Sequence, residues 1–415
     1  MRQEQSNELL LGSYRVLDLT DEKGFLCGRI LGDLGAEVIK VERPGGDQSR
    51  NIGPFYHDIP HPEKSLHWFA YNANKKGITL NLQTSEGREI FKRLAQTSDF
   101  IIESFAPGFL DELGLGYLIL SQVNPAIIMV SITPFGQTGP YKDYKSSDIV
   151  AMAMGGLMYV TGDPDRPPVR VSVEQSHLHA GAQAAIGALL ALHHRALTGL
   201  GQTVDASIQE SVIPTVPEVI SYWQFDKYKI QRSGPYVFRG EAWQRATWTC
   251  KDGQIGMRIL TGVYAKAIIP LIEWMDEEGL AGNLKDVNWE EIDVSQVTQE
   301  DYDSWEYQFT AFFLRHTKEE LYREALKRGI HLLPAYAPEE LVSDKQLAFR
   351  NYWTEVAHPE LGVNITYPGP FARLNDTPLD IRMRPPLIGE HNREIYGELG
   401  ISPEELADLR EADIV

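Results

Sequence analysis

The chain has 415 residues, 43% of them hydrophobic and 23% charged, with a formal net charge of −19. That is apolar content for more than one core and too little bias for a disordered chain; the acidic total excludes nucleic acid as a main partner. Two cysteines, Cys27 and Cys250, leave no disulfide framework and no zinc-ligand spacing, and no apolar run nears the ~20 residues of a bilayer span.

Met1–Leu10 opens polar, without the charged-then-apolar pattern of a signal segment, so a cytoplasmic location is expected. Tyr14–Leu19 then reads as a buried strand and Glu37–Val41 as a second. Between them Phe25, Leu26, Ile30, Leu31 and Leu34 recur at helical spacing and stop at Gly35. This is a βαβ unit, which requires a parallel sheet with a right-handed crossover. The pattern repeats. Ser85–Gln96 places Ile90, Phe91, Leu94 and Ala95 on one face, Asp99–Ser104 reads as a strand, and Ala126–Ile132 is another after the turn pair Asn124-Pro125. The expected fold class is α/β with an open Rossmann-like sheet.

A long helix over Glu174–Leu197 is rich in Ala and Gly and ends at Gly199–Gly201. Close packing accounts for its small residues without any site. Val204–Ile208 alternates like a strand. Beyond about Tyr222, aromatic and polar residues mix, and an acidic segment runs from Trp274 to Trp305. A large domain over 1–222, a smaller one over 223–328 and a return to the large domain over 329–415 are expected. The closing helix starts at Ser402, with Pro403 in first position and Glu405 completing a capping box.

Generic catalytic patterns are absent: there is no P-loop, no G-x-G-x-x-G and no G-x-S-x-G elbow. Gly155-Gly156 reads as a turn. His193-His194, beside Arg195, suits the end of a helix, where cations are favourable.

One ordered set of segments stands out: Val16–Thr20, Asp33–Asp47, Asn74-Lys75-Lys76, Glu103–Gly108, Thr198–Asp205 and Pro386–His391. Each is weak alone. In this order, over nearly the whole chain, they resemble the family III CoA-transferases, the group that includes formyl-CoA transferase and α-methylacyl-CoA racemase. The resemblance implies a large Rossmann-like domain built from both chain ends, a smaller inserted domain, and two chains interlocked like links of a ring. It also implies CoA thioesters and a carboxylic acid as substrates, with no tightly bound cofactor and no metal.

In such enzymes an Asp attacks the thioester and forms a mixed anhydride, which CoA thiolate opens to an aspartyl-CoA thioester. A carboxylate is required because the exchange runs through anhydrides. That Asp lies four residues before a Gly at the start of the small-residue helix, where the macrodipole favours an anion. Counting back from Gly181, the position is His177, and no Asp occurs between Asp165 and Asp205. The same dipole disfavours an imidazolium. Glu174, about one turn earlier and ~5 Å away along a helix, is the fallback carboxylate.

The resemblance also places Ser104 where relatives have Asn, Glu112 in place of an Arg that helps hold CoA, and Thr133 and Phe135 in place of a Lys and a Tyr. No Gly-rich shielding loop is evident around Arg232–Arg239. Arg43 and Lys75 stand where relatives contact CoA, although each is equally readable as surface charge, and Phe105 belongs to the same expected site. Together these departures read as a non-catalytic subunit paired with an Asp-bearing homologue; the resemblance to a heteromeric member of the family then implies that the pair moves CoA from succinyl-CoA to (R)-benzylsuccinate, a step of anaerobic toluene degradation. The competing readings are an active homodimeric transferase using Glu174 or His177, a racemase-like enzyme, and a binding or regulatory protein; nucleic acid and membrane are not expected partners.

Overall fold

The computed structural model describes residues 9–239 and 242–415; the segment before Leu9 lies outside it. The chain divides into two compact units. The first comprises Met1–Met158, Val171–Lys227 and Phe349–Val415, and the second Tyr159–Arg170 and Tyr228–Ala348.

The first unit is organised by a six-stranded sheet in the order β3-β2-β1-β4-β5-β6. Its strands are β1 (Arg15–Leu19), β2 (Glu37–Glu42), β3 (Lys75–Thr79), β4 (Phe100–Glu103), β5 (Ile128–Thr133) and β6 (Thr203–Ser207). Every pairing is parallel, as the βαβ reading requires. Both faces are covered, so runs such as Phe100, Ile101 and Ile102 are apolar without alternation. The strand order reverses between β1 and β4. Connections leave their carboxyl ends in opposite directions, which opens a crevice there.

On one face lie α1 (Phe25–Asp33) and, after α2 (Leu66–Asn72), α3 (Ser85–Gln96) and α4 (Asp148–Met154), the long helix α5 (Ser176–Thr198). Helix α3 covers the opposite face together with the C-terminal segment. The glycines and alanines of α5 serve close packing, as their composition suggested. A Cβ at Gly181 would stand 2.9 Å from Leu26 Cβ and 3.2 Å from the Cys27 amide nitrogen, so α1 and α5 meet nearly backbone to backbone. The last segment returns through the hairpin Trp353–His358 and Val363–Pro368 and ends in the helix Pro403–Glu411, whose Ser402–Glu405 capping box is formed.

Several boundaries differ from the sequence reading: Tyr159–Arg170, expected in the large domain, belongs to the second unit, and the first unit runs to Lys227. Leu332–Ala335 pairs antiparallel with Gly253–Met257 inside the second unit, so the chain returns to the first unit at 349 and not at 329. Helix α5 begins at Ser176, which leaves Glu174 ahead of the helix. The second unit has its own core around Trp248, Trp274, Phe309, Phe312 and Phe313. No helix among the described residues is long and apolar enough to cross a membrane.

Beneath the crevice lies a fully buried charge cluster. Asp18 on β1 receives Lys75 Nζ of β3 at 2.8 Å, and Lys40 Nζ of β2 stands 3.7 Å from its other oxygen. The Thr20 amide also donates to Asp18, and Lys75 further donates to Phe25 O and Asn72 Oδ1. Burial alone would raise the Asp18 pKa, but Lys75 and Lys40 hold it below the ordinary carboxylate range. Burial pushes the Lys75 ammonium down to about 8 against the pull of Asp18. Asp18→Ala would leave two unpaired ammonium groups inside the sheet and should cost ~3–5 kcal/mol in urea unfolding. The unsubstituted chain should lose the Asp18 contribution only as pH falls below 3.8, through its depressed folded-state value.

Candidate functional site

The crevice is a cleft of about 770 Å³ at the carboxyl ends of β1 to β4, lined by Leu19, Glu22, Arg43, Leu80, Phe105 and Phe109 among others. Arg43 follows β2 in a turn that Gly45 and Gly46 close with φ of 82° and 92°. Its guanidinium is exposed, and Nε donates to Gly46 O at 3.2 Å. Phe105 and Phe109 pack with ring centroids 4.7 Å apart and form an aromatic wall suited to a flat ring system.

The other charged lining residues are all acidic: Asp21, Glu22, Glu42, Asp47 and Asp413. Glu42 is neutralised by the buried Arg50 through bonds of 2.6 and 2.8 Å, and that guanidinium stacks on Trp68. Arg43 is the one cation among the described lining residues.

Phe105 is held from behind. Its amide donates to Glu103 Oε2 at 2.7 Å. Burial pushes the Glu103 carboxyl up to about 7; bonds from Ser131 and Phe105 oppose the shift, and the neighbouring Asp21 and Asp205 add to it.

A second group of polar side chains gathers at the start of α5. The helix terminus is occupied by Asp148 of α4, whose Oδ1 accepts from the amides of Gln175 (2.9 Å) and Ser176 (2.8 Å) and from Ser176 Oγ (2.8 Å). His177 is 9% exposed, and its Nδ1 has no hydrogen-bond partner. Glu174 Oε2 is 3.8 Å from that nitrogen, beyond hydrogen-bond length.

His67 of α2 is electrostatically coupled to His177, Glu174 and Glu22. Burial is the main influence on its imidazole and lowers its pKa; the two carboxylates oppose that, and His177 adds to it. His67 Nε2 is likewise without a partner, and its ring packs against Tyr71 at 5.1 Å. Glu22, whose carboxylate accepts from Ser49 Oγ at 2.6 Å, lines the cleft as well and so links the two groups.

The structure thus brings Arg43 and Phe105 together in one cleft and sets His177 beside Glu174. It does not bring Lys75 to the site. That expectation is corrected: Lys75 is 0% exposed, and its ammonium is committed to Asp18, Phe25 and Asn72. Ser104 is buried and bridges to Asp21, Glu112 is exposed on the short helix that carries Phe109, and the Thr133 hydroxyl is buried without a partner. Phe135 packs against Tyr141 and Tyr144. Tyr236–Arg239 is a strand paired antiparallel with Ala242–Arg245. Sequence reasoning missed His67, Tyr71, Glu22 and Asp148. The i, i+4 spacing of His67 and Tyr71 was the one local signal available.

A cleft at the carboxyl ends of an open parallel sheet, where the strand order reverses, is where such folds bind their ligands. The chain belongs to CoA-transferase family III, whose sequence profile matches residues 11–392. It is 34% identical over 400 residues to a subunit of succinyl-CoA:(R)-benzylsuccinate CoA-transferase from Thauera aromatica, covering 95% of this chain and 96% of that protein. Over 412 residues it is 34% identical to succinyl-CoA–D-citramalate CoA-transferase of Chloroflexus aurantiacus, covering 98% of each. Formyl-CoA:oxalate CoA-transferase of Streptomyces avermitilis is 32% identical over 417 residues, with 98% of this chain and 99% of that one covered. Among solved structures, a CaiB/BaiF family protein from Brucella suis superposes with a TM-score of 0.81 at 28% identity, over 93% of this chain and 98% of that one.

Glu103 generates a prediction. Its folded-state pKa lies above the unfolded value, so the folded chain binds the extra proton and loses stability as pH rises from 4.5 to about 7. Glu103→Gln should remove that loss. The variant's stability relative to the unsubstituted chain should rise across the window by at most roughly 3 kcal/mol, read from urea midpoints.

Proposed function

We propose that this chain is the non-catalytic subunit of a heteromeric CoA-transferase, interlocked with an Asp-bearing homologue that transfers CoA from succinyl-CoA to (R)-benzylsuccinate. The observation that carries the reading is the start of α5, which offers an imidazole where the reaction needs a carboxylate. A mixed anhydride forms only from a carboxylate oxygen. Asp148 is buried with one oxygen committed to three hydrogen bonds, and Glu174 lies ahead of the helix with its side chain 54% exposed. Neither supplies a positioned nucleophile.

Two further features support the reading. Ile186, Leu190 and Leu197 recur along one face of α5 with exposures of 58%, 65% and 75%, and Phe225 on the helix Pro217–Asp226 is 81% exposed. Apolar surface of this extent suits a permanent partner. The acidic cleft also leaves Arg43 to meet phosphate, weaker provision for CoA than an active chain needs. Substrate chemistry then falls to the partner's Asp, while this chain shapes the fold and one wall of the cleft.

The test is CoA transfer from succinyl-CoA to (R)-benzylsuccinate, assayed with this chain alone and co-expressed with an Asp-bearing homologue. Silence alone and turnover by the pair are expected. Turnover by the chain alone would sink the proposal in favour of an active homodimer, and His177→Ala and Glu174→Ala would then identify the group responsible.

A further inference from the structure

Phe105 and Phe109, the aromatic wall of the cleft, stand at the two ends of one turn. The Phe109 amide donates to Ala106 O at 3.1 Å, and Gly108 between them is left-handed with φ of 85°. Two carboxylates hold the start of this turn. Ser104 Oγ accepts from the Asp21 amide at 2.8 Å and donates to Asp21 Oδ1 at 2.7 Å. The Phe105 amide donates to Glu103 Oε2 at 2.7 Å. The Phe105 ring is thus placed by bonds to its backbone as well as by its contact with Phe109.

Glu103 is only 5% exposed, and it belongs to a row across the carboxyl end of the sheet. Ser131 of β5 is its register partner, and Asp205 of β6 is the register partner of Ser131. Asp205 and Asp21 both oppose its ionisation, while the bonds from Ser131 and Phe105 favour it. Of these two neighbours, Asp21 is paired with Lys23 and Asp205 accepts from the Gln137 amide at 2.9 Å. A neutral acceptor would close the turn without the cost of a buried charge. A titratable group kept in such a place behind a ligand cleft points to a use for its charge.

We propose that Glu103 is a positioning residue of the cleft: its ionised carboxylate fixes the Phe105 amide, and through it the ring pair, in the arrangement that receives a flat purine-type ring. A hydrogen bond to an ionised acceptor is roughly twice as strong as a neutral one. On protonation the carboxyl turns its proton to a neighbour such as the Ser131 hydroxyl, and the amide is left with a neutral acceptor. The turn loosens, and the rings lose the alignment on which stacking depends. Burial pushes this carboxyl up to about 7. The ionised form is the one that favours binding, so affinity is complete above that value and declines as pH falls through it. Glu103 itself touches no ligand.

The inference goes beyond the subunit role, because binding of CoA by this chain is separate from turnover. The test is calorimetry of CoA binding to the full-length chain from about pH 6 to about pH 8, with Glu103→Gln measured in parallel. The ratio of the two affinities cancels the titration of the CoA phosphates. At high pH the variant should bind about fivefold more weakly, and at low pH the two should converge. Ser131→Ala removes a bond that favours the ionised form, so the midpoint of the change should move to higher pH. Glu103→Gln keeps the shape of the side chain and sheds a buried charge, so its fold is retained; Ser131→Ala gives an independent reading. A merely structural role would weaken binding equally at every pH. A ratio constant with pH, a midpoint indifferent to Ser131→Ala, or a folded chain without affinity for CoA would overturn the proposal. The transfer assay reads turnover by a pair of chains, so its failure and failure here are separate results.

Discussion

Asp18 is a carboxylate removed from water at the carboxyl end of the central strand, and a lone charge there would be intolerable. Two lysines from the next two strands converge on it, and the remaining protons of Lys75 reach Phe25 O and Asn72 Oδ1. One charge cluster therefore fixes β1, β2 and β3 in register, together with the start of α1 and the end of α2. The loop from Thr20 to Gly24 leaves this anchored point and carries Glu22 into the cleft. Helix α2 leaves it in the other direction and carries His67. Cleft and histidine group are both set by an interaction that touches no ligand.

A similar logic applies one step outward. Arg50, fully buried, is locked by Glu42 in a bidentate pair and lies flat on Trp68. A guanidinium so committed has none of the freedom that Arg43 keeps at the surface of the same loop. The fold commits its buried cations to structure and leaves the charged residues of the cleft mostly acidic.

Much of this was legible in the sequence where periodicity is strong. Ser85–Gln96 emerged with the expected ends because its apolar face repeats cleanly and Thr84 caps it. β1, β2, β4 and β5 followed from short apolar runs bounded by turns. Helix α2 escaped notice because its seven residues mix Trp, Phe, His and Tyr without a clear polar face. Lys75 was misplaced for a different reason. A sequence displays a charge, but its partner Asp18 lies 57 positions away, and only the sheet brings them together. The same distance problem hid His67 from His177. Leu332–Ala335 is a short strand whose membership is decided by pairing, which composition does not report.

The Asp148 carboxylate has a consequence beyond geometry. Because it already supplies the anion that the start of α5 attracts, the folding of the helix places no demand for charge on position 177. That position can change its chemistry while the scaffold stays intact. Side chains of quite different charge can therefore stand at that position without cost to the helix that carries them.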